Sequence, residues 1–393
     1  MNQPDSKSTD PSKLTVYALG LSRYAPRGAT LVAGILLIEI GATFGLPVGV
    51  VNQMNAIHAL LSLLTALAMG VLSIRFSMEL LLFAGLGLAI VSAVGSCVSP
   101  SFQLLFVLYS LNGVAWSLIY PMSVALVGEL FPQEKRAKAL SIIFAIPPII
   151  TTFGSTLLGY IGDWRRAYFF YAIPIAAASL ILTKLSVPLR KTKGKKVELL
   201  SAFKALIGNR SALSCLMYFL LNSITFQFLG MLSISFLREH RALPKGVSSL
   251  IYSVLALAVF VGALAGGRIV DRYGRKHSTV FITLIYGLSA ILFVTVPNVY
   301  IATAIGIFSG LMMGLRQPAA NSLTIEQIPE IRGSIMSLST ASDNIGGMIG
   351  AAMAGFLLLN YGWIAAGVFL ASAAILAGIV LQIFAKDPIA YVK

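Results

Sequence analysis

The chain is predicted to be an all-α membrane protein of twelve transmembrane helices, arranged as two tandem six-helix units. Three observations carry that reading. Of 393 residues, 57% are apolar and only 11% are charged, where a soluble domain carries about 25% charged residues. So few charges cannot clothe a soluble surface of this size, and the apolar excess must face lipid. Apolar runs close to the ~20 residues of a bilayer crossing recur along the chain, and a set of residues repeats at one fixed offset near half its length.

In chain order, residues 1–30 hold Asp, Lys, Ser and Pro without the apolar core of a cleaved signal peptide, and read as a cytoplasmic tail. Spans are predicted near 31–51, 56–74, 80–98, 102–127, 139–161 and 167–187, an N-terminal bundle over 31–187. A basic linker, 188–211, follows. Its 201–208 portion reads either as an amphipathic helix on anionic lipid or, more commonly for such a stretch, as a solvated connector. Spans near 212–236, 247–270, 278–296, 299–322, 334–359 and 363–384 form a C-terminal bundle over 212–386, and 387–393 is a second tail.

Lys and Arg set the orientation. With the N-terminus inside, 23 of the 29 basic residues fall in inside segments, five fall outside (Arg165, Arg166, Arg238, Arg241, Lys245), and Arg316 lies in a span. Both termini are therefore expected in the cytoplasm, with the protein in the plasma (inner) membrane. The net charge of +15 then needs no nucleic acid. Cys97 and Cys215 fall near opposite membrane faces and cannot bridge each other. No metal-ligand cluster, nucleophile–base pair or phosphate-binding loop is recognisable, so neither a cofactor nor enzyme chemistry is expected.

Gly70 and Arg75 line up with Gly267 and Arg272; Pro121, Glu129 and Pro132 line up with Pro318, Glu326 and Pro329. All five matches share the offset 197, so the halves are parallel repeats, a plan in which a substrate lies between halves that rock about it. The second copy of the loop reads Gly267-Arg-Ile-Val-Asp271-Arg272-Tyr-Gly274-Arg275-Lys276. Asp271 can cap a helix or pair with an arginine, while Gly267 and Gly274 allow close packing and a tight turn. In the first copy Arg75 remains, but Ile74 stands in the aspartate's place, Ser77 in the second glycine's, and Met78 and Glu79 in the basic pair's.

The second copy resembles the Gly-x-Leu-Ala-Asp-Arg-x-Gly-Arg-Lys signature of the major facilitator superfamily. Glu129–Arg136 and Gly162–Phe169 resemble that family's loop after the fourth helix and its entry to the sixth. The resemblance implies alternating access, with helices one, four, seven, ten and eleven lining a central cavity and Gly267, Asp271, Arg272, Gly274, Arg275 and Arg75 gating it. The loops look most similar to those of prokaryotic drug and metabolite efflux permeases. Two motifs of the antiporters depart from pattern: Tyr109-Ser-Leu-Asn112-Gly113 lacks their arginine, and Pro147-Pro148 replaces much of a glycine pattern. Tandem prolines remove two helix hydrogen bonds, so a bend or hinge is expected there, with Gly346 and Gly347 as a second site of bending or of close packing.

Ionisable residues at mid-bilayer mark function by default. Glu39 and Asp343 are the candidate proton-coupling groups. Arg316 pairs with Asp343 or binds an anionic substrate separately. Asn112, Trp116 and Tyr120 share one face of the fourth helix, and with Asn222, Gln227, Asn321 and Asn344 they are candidate substrate contacts. An aromatic stripe at this spacing is more often packing. His58 is placed near the outer surface. The expected function is proton-coupled efflux of a small organic solute by a monomer embedded in lipid, with Glu39 as carrier. Uptake or exchange of an organic anion held by Arg316 is the alternative, and a transport-dead sensor or scaffold a third.

Overall fold

The computed structural model describes residues 13–131, 133–187, 208–328 and 332–387, and among them every regular element is helical. The predicted amphipathic segment of the linker lies almost wholly outside the described residues. Helix α1 runs Lys13–Ile35 and resumes as Leu37–Phe44 after a 65° bend. Then come α2 (Val48–Val51 continuing as Gln53–Arg75), α3 (Met78–Val98), α4 (Phe102–Leu130), α5 (Gln133–Ile161) and α6 (Trp164–Ser186). The second half holds α7 (Arg210–His240), α8 (Lys245–Tyr273), α9 (Arg275–Thr295) and α10 (Val299–Ile325). A final helical stretch, Arg332–Phe384, is split at Gly362 (φ 79°, ψ −175°) into α11 and α12, which completes twelve spans.

The start of the chain differs from expectation. The first crossing begins near Leu14, not at 31, and the second near Val48. Arg23 and Arg27, which resemble the positive charges of a cytoplasmic tail, both lie inside α1. Residues 14–30 are otherwise mostly apolar or small, and helix continues through them despite Pro26.

An even number of crossings leaves both described ends on one face, here called the basic face after its loops. The turns after α1, α5 and α7 lie on the far face. The 197 offset reappears in the packing. The Gly113 backbone abuts the His58 carbonyl, where a Cβ would sit 2.1 Å away, and the equivalent Gly310 abuts the Leu255 carbonyl at 2.9 Å. One turn on, Ser117 donates to the Ser62 carbonyl at 2.7 Å; its equivalent, Gly314, lies so close to the Val259 carbonyl that an added Cβ would clash with it. Thus α4 packs on α2 as α10 packs on α8. The last turn of each half also repeats, with a positive-φ glycine (Gly162, φ 73°; Gly362, φ 79°) followed closely by Trp164 or Trp363. Only glycine adopts that conformation without strain.

Contacts between the halves concentrate toward the far face. Asn52 Nδ2 donates to the Ala351 carbonyl (3.1 Å), and Gly49 meets the Gly355 carbonyl, joining α2 to α11. Ser253 on α8 bonds both Ser155 and Thr156 on α5, each at 2.6 Å.

The close carbonyls fix two opposite expectations for glycine replacements. In Gly314→Val the new side chain meets backbone that cannot yield, so thermal melting of the purified protein should show a loss of about 1–3 kcal/mol. Gly246→Ala, with open space around it, should melt at or slightly above wild type.

Candidate functional site

The bend at Leu36 positions the first charged group. Beyond it, Leu37–Phe44 turns toward the second half, and Glu39 reaches Arg238 on α7 (2.8 Å) and Lys245 on α8 (2.9 Å). Lys245 also donates to the Gly162 carbonyl in the α5–α6 turn (2.9 Å). Three far-face turns are thereby tied by one carboxylate. Glu39 was expected mid-membrane; because α1 starts earlier, it lies near the far end instead, and its charge is matched by two cations. Arg238 and Glu39 are each only partly accessible (16% and 17%), so the pair is screened less than a surface bridge.

Of the residues expected to gate the basic face, Arg75, Gly274 and Arg275 are described. Arg275 Nη1 pairs with Glu326 Oε1 at 3.2 Å, joining the start of α9 to the end of α10. Gly274 takes φ 83° before α9. The Lys276 amide donates to Asp387 Oδ2 (3.1 Å) and its ammonium to the Gln382 carbonyl (2.9 Å). These contacts stay within the second half. At the equivalents of Arg275 and Glu326 the first half has the uncharged Met78 and Glu129, and Arg75 is exposed. The surroundings of Gly267 and the side chains of Asp271 and Arg272 lie outside the described set, although α8 runs through them.

Between the two faces, Arg316 is buried on α10. Its Nη1 donates to the Tyr218 hydroxyl (3.3 Å), and its guanidinium lies 4.8 Å from the Tyr286 ring centre. Asp343 on α11 sits deep among the helices yet is accessible, as a residue lining an open cleft is; Arg316 and the Ser223 hydroxyl are the groups that act on it. No carboxylate among the described residues comes within 4.0 Å of Arg316, so the two do not form a contact ion pair. Around them Asn222 Oδ1, Gln227 Oε1, Asn344 Nδ2, Ser309 Oγ and Arg316 Nε are buried without a protein partner. Each such atom costs about 1–3 kcal/mol if left so, and this group of helices carries several. Asn321 lies farther along α10 toward the basic face, half-buried.

Other expectations change with the packing. Asn112 is fully buried and donates to the Pro26 carbonyl (2.8 Å), so it ties α4 to α1. Trp116 stacks on Tyr120 (5.3 Å, 14°), and His58 meets Trp116 edge-on at 6.5 Å and Tyr109 at 5.8 Å. His58 is therefore inside the first bundle and not at the outer surface. Helix α5 runs unbroken through Pro147 and Pro148, whose carbonyls accept from the Thr151 and Thr152 hydroxyls (2.9 and 3.0 Å). Gly346 abuts the Leu220 carbonyl and Gly350 the Ile224 backbone, with Gly347 near Gln227. These glycines let α11 lie close on α7; the break in backbone comes later, at Gly362.

Two charged residues were missed. Arg23 is buried between the Tyr120 ring (3.6 Å) and the Phe144 ring (4.4 Å), and donates to the Tyr120 carbonyl and Ser123 hydroxyl, both at 3.4 Å. Arg27, one turn further, is half-buried and lines a cleft between α1, α7 and α8. The i, i+4 spacing of two arginines in an otherwise helix-compatible run was the available signal.

Glu39→Gln should loosen the far-face closure, because it leaves Arg238 and Lys245 together without a counter-charge. A Thr30→Cys reporter in the cleft should then react several-fold faster with an impermeant maleimide applied to the far face. An unchanged rate would show that the closure does not depend on this carboxylate.

A family model described as Major Facilitator Superfamily matches residues 24–241 and 223–391. Multidrug resistance protein MdtG of Proteus mirabilis is 27% identical over 331 residues, 81% of each chain. Niacin transporter NiaP of Acinetobacter baylyi is 33% identical over 125 residues, 31% of this chain and 28% of that one. In fold, the chain is similar to a D-xylose–proton symporter, with TM-score 0.77 and 16% identity over 95% of this chain and 98% of the other. Family model, curated relatives and fold agree, so the chain belongs to the major facilitator superfamily and is a multi-pass secondary transporter of small molecules, not an enzyme.

Proposed function

We propose that this transporter carries a small organic anion together with a proton, by alternating access. The observation that carries the reading is the charge of the cleft. Arg27 lines a cleft between the halves, and Arg316, buried on α10, acts on the accessible carboxylate of Asp343, while Glu39 is neutralised in the far-face latch. A net cationic cleft attracts anions and repels the cationic amphiphiles that many efflux pumps move.

Asp343 is the group suited to carry the proton. Ionised, it offsets Arg316 and weakens the hold on an anion. Protonated, it leaves the arginine uncompensated, so proton and anion favour each other's binding, and the coupling is reciprocal. The described bonds between the halves lie toward the far face, which supports a state open at the basic face. With the basic face in the cytoplasm of a plasma membrane, as the loop charges favour, it is the inward-facing state of a monomer set in lipid. Rocking would break the Glu39 latch, and the Arg275–Glu326 pair would hold α9 and α10 as one body during the motion.

The multidrug relative favours a second reading, proton-driven efflux with Glu39 as carrier. Proteoliposomes loaded with a pH-sensitive dye separate the two against a panel of aromatic and aliphatic carboxylates. On the anion reading, Asp343→Asn loses proton-linked accumulation and keeps anion counterflow, whereas Arg316→Gln loses both. Proton-linked accumulation retained in Asp343→Asn but abolished in Glu39→Gln would replace this reading with the second.

A further inference from the structure

Trp116 and Phe144 stand on helix faces turned away from lipid. On α4 the lipid side is marked by Val107, 57% exposed, and Trp116 follows nine residues later, about 180° around the helix. On α5 the lipid side is marked by Phe153, 74% exposed, and Phe144 precedes it by the same nine residues. Yet Trp116 is partly accessible and Phe144 is 49% exposed, so both open into the space between the halves. The groups between them form a ladder. The Arg23 guanidinium lies 4.4 Å from the Phe144 ring centre and 3.6 Å from that of Tyr120. Tyr120 stacks on Trp116 at 5.3 Å, and Trp116 meets His58 edge-on at 6.5 Å. Because Arg23 is buried against these rings, the ladder presents aromatic surface rather than a free charge.

This aromatic wall of the first half and the charged wall of the second meet at one seam. Ala59, next to His58 on α2, comes within 3.7 Å of the point where Gly347 on α11 would carry a Cβ, and Ser223 Oγ on α7 within 3.4 Å of the same point. Asp343, on which Ser223 and Arg316 act, precedes Gly347 by four residues. Gly113, which abuts the His58 carbonyl, precedes Trp116 by three. Since α11 runs toward the far face and α4 away from it, Trp116 and Asp343 both lie about one turn from the seam on its basic side. Ring and charged pair therefore stand at one depth, on opposite walls of a cleft that opens toward the basic face.

We propose that the carried anion is an aromatic carboxylate, whose ring packs on Trp116 while its carboxylate is held by Arg316, which makes Trp116 a specificity-determining residue. This rests on the anion reading above and deepens it by naming the substrate class and the group that selects it. A ring meeting another ring gains about 2- to 10-fold in affinity beyond what burial of its area supplies. A saturated ring gains the burial alone.

Equilibrium binding of radiolabelled benzoate to the purified full-length protein, competed with cyclohexanecarboxylate, tests the assignment. The saturated acid carries the same charge and is at least as apolar, so burial alone predicts no preference for benzoate. The wild type should prefer benzoate by about 3- to 10-fold. Trp116→Phe should keep that preference, and Trp116→Leu should bring the two affinities to within twofold of each other. Arg316→Gln should weaken both ligands alike. The ratio of two affinities measured in one sample does not depend on how much of a variant is folded. Equal binding of the two acids by the wild type, or an unchanged ratio in Trp116→Leu, would overturn the assignment while leaving anion transport in place. Failure of the wild type to bind either acid, or any other carboxylate of the transport panel, would overturn both readings.

Discussion

An arginine carried into the hydrocarbon layer has to be met by protein, by water or by an anion, because lipid tails offer it nothing. The cost at a helix centre is about 2.5–3.5 kcal/mol even with local adjustment. A ring face returns about 0.5–2 kcal/mol to a desolvated guanidinium, so the two rings and two oxygens around Arg23 offset most of that cost. Arg316 has one ring and one tyrosine hydroxyl. Among the described residues Arg27 has neither a stacked ring nor an acid, and it lines an opening between the halves. The gradation runs from an enclosed charge to an unmatched one, without appeal to motif.

The same constraint orders the gates. Glu39 is matched twice over, by Arg238 and Lys245, and a carboxylate held so firmly suits closing a path better than moving a proton along it. Its partners come from the opposite half, so the latch exists in one of the two rocking states. The bend at Leu36 is what brings it there. On the basic face the second half keeps its own ion pair within itself, where the first half has Met78. Two copies of one packing scheme thus carry different charges at their ends, which biases the pair toward a particular closed face.

Much of the architecture was legible in the sequence because packing repeats with the chain. The offset of 197 that pairs Pro121 with Pro318 also pairs the Gly113–His58 contact with Gly310–Leu255, so a periodicity of letters was a periodicity of surfaces. Arg316 and Asp343 were singled out by their cost in lipid alone. The first helix was misplaced for a physical reason: the positive-inside rule counts Arg23 and Arg27 as tail charges, and only tertiary contacts to Tyr120 and Phe144 reveal that the protein encloses one of them. That error moved Glu39 from a far-face latch to mid-membrane. Gly346 and Gly347 read as bending or, more commonly, close packing, and Leu220 against Gly346 shows packing there. Asn112 shared a stripe with Trp116, yet its bond to Pro26 is invisible to periodicity.

The account turns on a proton at Asp343 strengthening the grip of the cleft on an anion. The direct measurement is benzoate affinity of purified wild type and Asp343→Asn across pH. Wild-type affinity should rise as pH falls, because protonation removes the charge that offsets Arg316, and Asp343→Asn should bind tightly with little pH dependence. The same pH dependence in both proteins would contradict the account.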